Sequence, residues 1–360
     1  MRKDLLINLG LFLGSTLFCF VLVETAFRGL TYLEDQGISH THLHQGIPVP
    51  EDGQAKLGHI IRRSGNAKLI YELKPDLEVT YHQASVRTNS LGMRSREIDS
   101  DDDAFTIVGI GDSFMFGQGV GEGEPYLTVL EELLEEAGHR VRVINLGVPG
   151  YNTVMEVESL RSKGLAYDPD LVIIEFVGND LSLPNFVRAP RDLFDLERSY
   201  AADYFRHRLG WNWDKPDWKE MTLTGIQGIP MEDPQGMGRT TDPSKVPKEF
   251  RHLVGWDAYR GAMQDLLSMS EEEGFHLLLI SLAPSDGLLK KEALRFGREE
   301  GIEVLDIGQV VRGELQRLKA KRYLGSPLAL SETDGHPSAR GHRLAGETLF
   351  DHLVQTNRLP

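Results

Sequence analysis

Phe105-Thr106-Ile107-Val108-Gly109-Ile110-Gly111-Asp112-Ser113-Phe114 is a short, mostly apolar and β-branched run that closes on a glycine-bearing turn. Such a run suits a strand buried on both faces of a parallel sheet. Similar runs recur at 141–146, 171–177, 276–282 and 302–307. Helical periodicity lies between and after them. Tyr126, Val129, Leu130, Leu133 and Leu134 form one apolar stripe, and Leu344, Ala345, Thr348, Leu349 and Leu353 another. Strands alternating with helices predict a doubly wound α/β domain with right-handed crossovers.

Ligands of open α/β sheets bind beyond the carboxyl ends of the strands. Four stretches occupy such places: Gly111-Asp112-Ser113, Asn145-Leu146-Gly147-Val148-Pro149-Gly150, Gly178-Asn179-Asp180 and, before the last helix, Asp334-Gly335-His336-Pro337. The first turn is not a dinucleotide fingerprint, because Phe114 stands where a third glycine is needed. Nor is it a phosphate loop, which would close on Lys-Ser/Thr. Met115 also excludes the G-x-S-x-G elbow. A serine on a strand-to-helix turn reads equally as a helix N-cap or as an exposed nucleophile.

The four stretches in this order resemble the SGNH, or GDSL, hydrolase superfamily over roughly residues 100–355. The stretch Asn89-Ser90-Leu91-Gly92-Met93-Arg94 resembles a segment that precedes the first block in membrane-anchored, envelope-associated members. The resemblance implies a flavodoxin-like three-layer α/β/α fold around a five-stranded parallel sheet. It implies Ser113 as nucleophile, His336 as general base and Asp334 as the residue orienting it. The oxyanion hole would comprise the N–H groups of Ser113 and Gly150 and the amide of Asn179. It implies no cofactor, and the sequence has no metal-ligand spacing.

These residue types suit the chemistry. A serine hydroxyl needs a neighbouring base, and histidine can take its proton and return it to the leaving group. Preorganised N–H donors stabilise the tetrahedral oxyanion, and Gly150 lets the backbone approach the substrate. One departure stands out: most of the family places the aspartate three residues before the histidine. That position is Thr333 here, and Asp334 lies two before. The spacing lets Asp334 reach His336 if the segment is extended. Otherwise a backbone carbonyl holds the ring. Asp112 is expected to organise its turn, Asp180 to cap the following segment, Gly147 to serve turn geometry and His342 to lie on the surface.

Outside these blocks, the amino terminus is the most informative segment. Residues 5–23 carry no charge and as a helix span roughly 28 Å, close to the hydrocarbon thickness of a bilayer. Arg2 and Lys3 precede them, only Arg28 follows closely, and the next Lys or Arg is Lys56. The positive-inside rule then places the amino terminus in the cytoplasm and the rest outside, periplasmic or extracellular. A cleavable signal peptide would have a shorter apolar core and a small-x-small site, which Val23-Glu24-Thr25-Ala26 does not supply. Residues 1–29 are therefore read as a transmembrane signal-anchor, 30–65 as a tether and 66–360 as the hydrolase domain. His40, His42 and His44 read as chance histidines of a solvated tail. Residues 184–255, with Trp211, Trp213 and Trp218, interrupt the periodicity and read as an insertion, either stacking on sugars or packing internally.

A net charge of −15 over 360 residues argues against a nucleic-acid partner. The acidic runs Glu131-Glu132 with Glu135-Glu136, and Glu271-Glu272-Glu273, read as solvated helix faces. Cys19, the single cysteine, leaves no intramolecular disulfide. The function expected is a membrane-anchored serine esterase acting through a Ser113 acyl-enzyme. Its substrate would be an O-acyl ester, an acetyl group on an envelope or exported polysaccharide by family analogy. The alternatives are an O-acetyltransferase on the same fold, a non-enzymatic polysaccharide-binding or assembly protein, and an esterase of lysophospholipids.

Overall fold

The computed structural model describes residues 2–35, 51, 53–66, 68–98, 104–187, 194, 196, 199–209, 240–246 and 248–359. The chain opens with α1 (Arg2–Asp35), then β1 (Gln54–Ala55), α2 (Leu57–Ile60), β2 (Ile61–Arg63), β3 (Tyr71–Leu73), β4 (Glu78–Tyr81) and β5 (Ala84–Arg87). The central domain follows as β6 (Phe105–Ile110), α3 (Ser113–Phe116), α4 (Tyr126–Glu136), β7 (Val141–Asn145), α5 (Thr153–Ser162) and β8 (Leu171–Glu175). After α6 (Tyr200–Arg208) come α7 (Gly255–Glu273), β9 (His276–Ile280), α8 (Leu288–Glu299), β10 (Glu303–Leu305), α9 (Ile307–Arg317) and α10 (Ala339–Gln355).

The predicted sheet is present. Its five strands run in the order β10-β9-β8-β6-β7, all parallel. In order of appearance this is 2-1-3-4-5, the flavodoxin-like arrangement. Side chains alternate between its faces, as the period of a strand requires. Ile107, Ile173, Leu278 and Ile280 pack with Leu130 and Leu134 of α4, Val311 of α9 and Leu349 of α10. Val108, Ile110, Val172, Ile174 and Leu279 pack on the opposite face with Leu160 of α5, Met263 and Leu266 of α7 and Leu294 of α8. The three-layer expectation therefore holds, and the strands read as mostly apolar because both faces are covered.

The amino-terminal reading needs correction. Helix α1 continues to Asp35, past the expected limit of the anchor. Within the stretch read as a tether, β1, α2 and β2 are folded, and Leu57, Ile60 and Ile61 are fully buried. Strands β2 and β3 form an antiparallel pair, and β1-β4-β5 form a three-stranded sheet. Together they enclose a third apolar cluster, in which Tyr71, Tyr81 and Val86 meet Phe116, Val148 and Tyr151 from the turns of the main sheet. This accessory layer escapes periodicity because its strands are only two to four residues long. Of the stretch read as an insertion, Val246, Phe250, Leu253 and Val254 join the same cluster. Residues His40, His42, His44, Trp211, Trp213 and Trp218 lie outside the described residues.

The acidic faces divide. Glu271, Glu272 and Glu273 are exposed, but Glu131 is buried and accepts the Val143 N–H at 3.0 Å. It satisfies a backbone donor on the edge strand β7.

Candidate active site

Strand β6 delivers Ser113 to the carboxyl edge of the sheet as the first residue of α3. The helix N-cap is Asp112, whose carboxylate accepts the Phe114 N–H at 2.9 Å. The N-cap reading of Ser113 is thereby replaced: the aspartate caps, and the serine hydroxyl is left for another partner. That partner is His336. Its Nε2 lies 2.8 Å from Ser113 Oγ, and its Nδ1 lies 2.6 Å from Asp334 Oδ1. With the proton on Nδ1, donated to Asp334, Nε2 is the acceptor that faces the serine hydroxyl. The geometry supplies a base–orienter contact despite the two-residue spacing. Asp334 also accepts the His336 backbone N–H at 3.0 Å. The histidine's bond to Asp334 holds that carboxyl down at about 2, burial opposing it.

Gly150 and Asn179 come to the same cleft. Ser113, Gly150, Asn179 and His336 line it together with Gln118, Ser182 and Asn185, around a volume of about 410 Å³. Gly150 has φ +81°, and a Cβ built there would lie 2.1 Å from the Asn185 side chain. Left-handed backbone and close approach both require glycine. Asn179 Nδ2 donates to Asp112 Oδ2 at 2.9 Å and approaches the Tyr151 carbonyl at 3.4 Å. The first bond aims the amide; the second is at the limit of a hydrogen bond. Burial raises the Asp112 carboxyl pKa, and the bonds from Phe114 and Asn179 oppose the rise.

Two expectations about neighbouring residues change. Asp180 does not cap the segment after it. Its carboxylate accepts the Val177 N–H at 2.6 Å and faces Thr153, at the start of α5. It thus stands between the Asn179 loop and the helix behind Gly150. Gly147 serves close packing rather than a special turn: a Cβ would lie 2.6 Å from the Phe116 nitrogen, and its N–H is taken by Asn145 Oδ1 at 2.8 Å.

The accessory layer braces the site through contacts not anticipated from the motifs. Tyr71 of β3 donates to the Pro149 carbonyl at 3.0 Å, beside Gly150. Tyr81 of β4 donates to Gln118 Oε1 at 3.0 Å, and Gln118 Nε2 stands 3.4 Å from His336 Nδ1. Arg94 is only 3% exposed. Its guanidinium donates to the carbonyls of Phe116, Gly117 and Val120 at 2.9, 2.6 and 2.7 Å, closing the carboxyl end of the helix that Ser113 begins. The one signal in the sequence was the stretch ending at Arg94, whose role only the fold reveals.

His342, expected on the surface, is fully buried. Its Nδ1 accepts the Tyr126 N–H at 3.3 Å, and burial pushes its pKa down to about 3. It stays neutral inside the domain.

The sequence pattern of the GDSL-like Lipase/Acylhydrolase family matches residues 110–214. That stretch carries Ser113, Gly150 and Asn179 on the elements just described. Over those residues, under a third of the chain, the sequence matches the GDSL-like lipase/acylhydrolase family. The match supports an ester-bond hydrolase. No curated protein matches it in sequence. Among solved structures it is similar to a lipase/acylhydrolase from Enterococcus faecalis (18% identity, covering 71% of this chain and 97% of that one, TM-score 0.39). It is also similar to a member of the lipolytic G-D-S-L family from Veillonella parvula DSM 2008 (13%, 70% and 100%, 0.40) and to the acetyl xylan esterase AlAXEase (12%, 69% and 99%, 0.40). In this GDSL-like hydrolase, His336 and Asp334 fall beyond the matched residues and rejoin Ser113 through the fold. No group of His, Cys, Asp and Glu able to hold a metal ion occurs among the described residues.

Proposed function

We propose that this GDSL-like hydrolase is a membrane-anchored serine esterase that removes short acyl groups, acetyl foremost, from a carbohydrate outside the membrane. The observation that carries the reading is the continuous contact from Ser113 Oγ to His336 Nε2 at 2.8 Å and from Nδ1 to Asp334 at 2.6 Å. Ser113 Oγ attacks the ester carbonyl while His336 takes its proton. The oxyanion is received by the N–H groups of Ser113 and Gly150 and by Asn179 Nδ2, each contributing on the order of 3 kcal/mol to the transition state. His336 then returns the proton to the departing sugar hydroxyl. Water, deprotonated by the same histidine, attacks the acyl-enzyme, releases the carboxylate product and restores Ser113.

The polar side chains of Asn185, Ser182 and Gln118 in the cleft wall support a polar carrier. The short acyl group is read by family analogy. The anchor would be α1, in which Ile7–Leu33 is long and apolar enough to cross a membrane. Arg2 and Lys3 before its charge-free run put the amino terminus in the cytoplasm and the hydrolase domain outside.

The test is a panel of short- and long-chain esters and acetylated oligosaccharides, with wild type and Ser113→Ala. Wild type is expected to release acetate from the sugars and to label at Ser113 with a serine-directed phosphonate. Ser113→Ala should lose both with an unchanged thermal midpoint. Acetate transfer to an added oligosaccharide, rather than to water, would turn the reading to a transferase. Absence of labelling in folded wild type would overturn it.

A further inference from the structure

Helix α1 is not covered evenly. From Ile7 to Val23 it is exposed apart from a half-buried Thr16, whereas Glu24, Phe27, Arg28 and Thr31 are covered. These positions are i, i+3, i+4 and i+7, one face of a helix. The element covering that face is α6. Glu24 receives the Ser199 hydroxyl at 2.8 Å and the backbone N–H groups of Tyr200 and Ala201 at 2.9 and 3.2 Å, and so caps the first turn of α6. Arg28 pairs with Glu24 at 2.9 Å and lies over the Tyr200 ring. Phe27 packs against Tyr204 in a tilted and Phe205 in an edge-on arrangement, with ring centroids 4.7 and 5.7 Å apart.

The docking begins where the charge-free run ends. With residues 5–23 in the hydrocarbon, Glu24 lies at its edge. A carboxylate is tolerable there because three donors and Arg28 satisfy it. Phe27 stands roughly 5 Å further along the helix, inside a headgroup layer about 5–8 Å thick on each side. Tyr204 and Phe205 share that level, where aromatic side chains concentrate in membrane proteins. Phe205 on α6 and Leu209 just after it remain half exposed, and Phe194 and Leu196, before it, are about nine-tenths exposed. Phe205 carries this apolar character up to Phe27 of α1.

We propose that α6 is a second membrane-contacting element, seated in the outer headgroup layer against α1 with Phe205 toward lipid. The chain then has a second attachment to the bilayer besides α1. The proposal rests on the reading of α1 as a membrane span.

The test uses the full chain in phosphatidylcholine vesicles containing lipids that carry a nitroxide at the headgroup or along the acyl chain. A fluorophore on Cys19 reports α1. The same fluorophore on Phe205→Cys, in a Cys19→Ser background, reports α6. Quenching at 205 by the headgroup nitroxide to about half intensity is expected, with acyl-chain quenching at 19. Adding Glu24→Ala should abolish the quenching at 205, leaving hydrolysis of a soluble ester intact. In a matched chain that keeps Cys19, it should leave the signal at 19 unchanged. Quenching at 19 without quenching at 205 would overturn the proposal and leave the anchor standing. Quenching at neither position would overturn both. Ester hydrolysis in the same vesicles reads the esterase assignment separately.

Discussion

Asp334 Oδ1 lies 2.6 Å from His336 Nδ1 and 3.0 Å from the same residue's backbone nitrogen. One carboxylate oxygen therefore receives both N–H groups of the histidine two positions on. The side chain folds back over its own chain, as aspartate does in an Asx turn, and the shortened spacing still yields an oriented imidazole. The Leu330 N–H closes this loop on the His336 carbonyl at 2.9 Å.

If this contact sets the tautomer, Asp334→Asn should lower kcat by about 10³–10⁴ with KM within about twofold, approaching the loss in His336→Ala. Because Asp334 is part-exposed, the thermal midpoint should barely move. A kcat within tenfold of wild type would leave Asp334 a loop residue only. The pH dependence has a definite sign. A carboxyl held at about 2 when folded adds stability above its unfolded pKa of about 3.9. That stability is lost as pH falls from there through 2.

Gly150→Ala adds a methyl where φ is +81° and Asn185 would be 2.1 Å away. The left-handed conformation alone costs about 1–2 kcal/mol, and the collision must move the loop that carries the Gly150 N–H. A misplaced oxyanion donor should reduce kcat by about 10²–10³. The double variant Gly150→Ala with Asn185→Gly relieves the collision but not the dihedral. It should recover part of the loss, measured as kcat on one short ester.

Much of this was legible in the sequence, and the failures have physical causes. Strands β6 to β10 announced themselves because both faces of the sheet are covered, making the runs mostly apolar. Ser113, Gly150 and Asn179 could be placed because each follows such a run, whereas His336 follows none and was placed through the resemblance of its block to the family. His342 was expected on the surface but is buried. It lies three residues before Ala345 and seven before Leu349, on the buried stripe of α10. Glu131 similarly lies four after Leu127 and three before Leu134. In both cases the helical period located the residue inside, but its polar chemistry argued outside until a backbone partner was found. Tyr71, Tyr81 and Arg94 brace the site from an accessory layer whose contacts are distant in sequence and leave no local period.

Arg94→Lys tests that brace. The guanidinium satisfies three carbonyls at once, and an ammonium cannot reproduce the fork. Leaving buried acceptors without a donor should destabilise the domain by roughly 3 kcal/mol. The corresponding fall in thermal midpoint is on the order of 6 °C. An unchanged midpoint in differential scanning calorimetry would mean that the carbonyls find other partners.

The interior should also produce opposing pH slopes. Glu156 and Asp180 are buried close enough to interact electrostatically, near Glu175 and Asp112, and Tyr259 packs beside them. Burial, reinforced by the neighbouring carboxylates, raises the pKa of Glu156 well above its usual range. The folded state thus binds more protons than the unfolded state once pH exceeds about 4, so stability falls as pH rises. Glu156→Gln removes that proton difference and should flatten the decline, raising the thermal midpoint at pH 8 relative to wild type but hardly at pH 4. His342 acts in the other direction. Its folded pKa is down at about 3, so below the unfolded value of about 6.5 the unfolded state binds the extra proton and stability falls with acid. In wild type, the thermal midpoint measured from pH 4 to 9 should therefore pass through a maximum, and Glu156→Gln should shift it to higher pH. A maximum that stays in place in that variant would show that Glu156 is ionised in the folded protein.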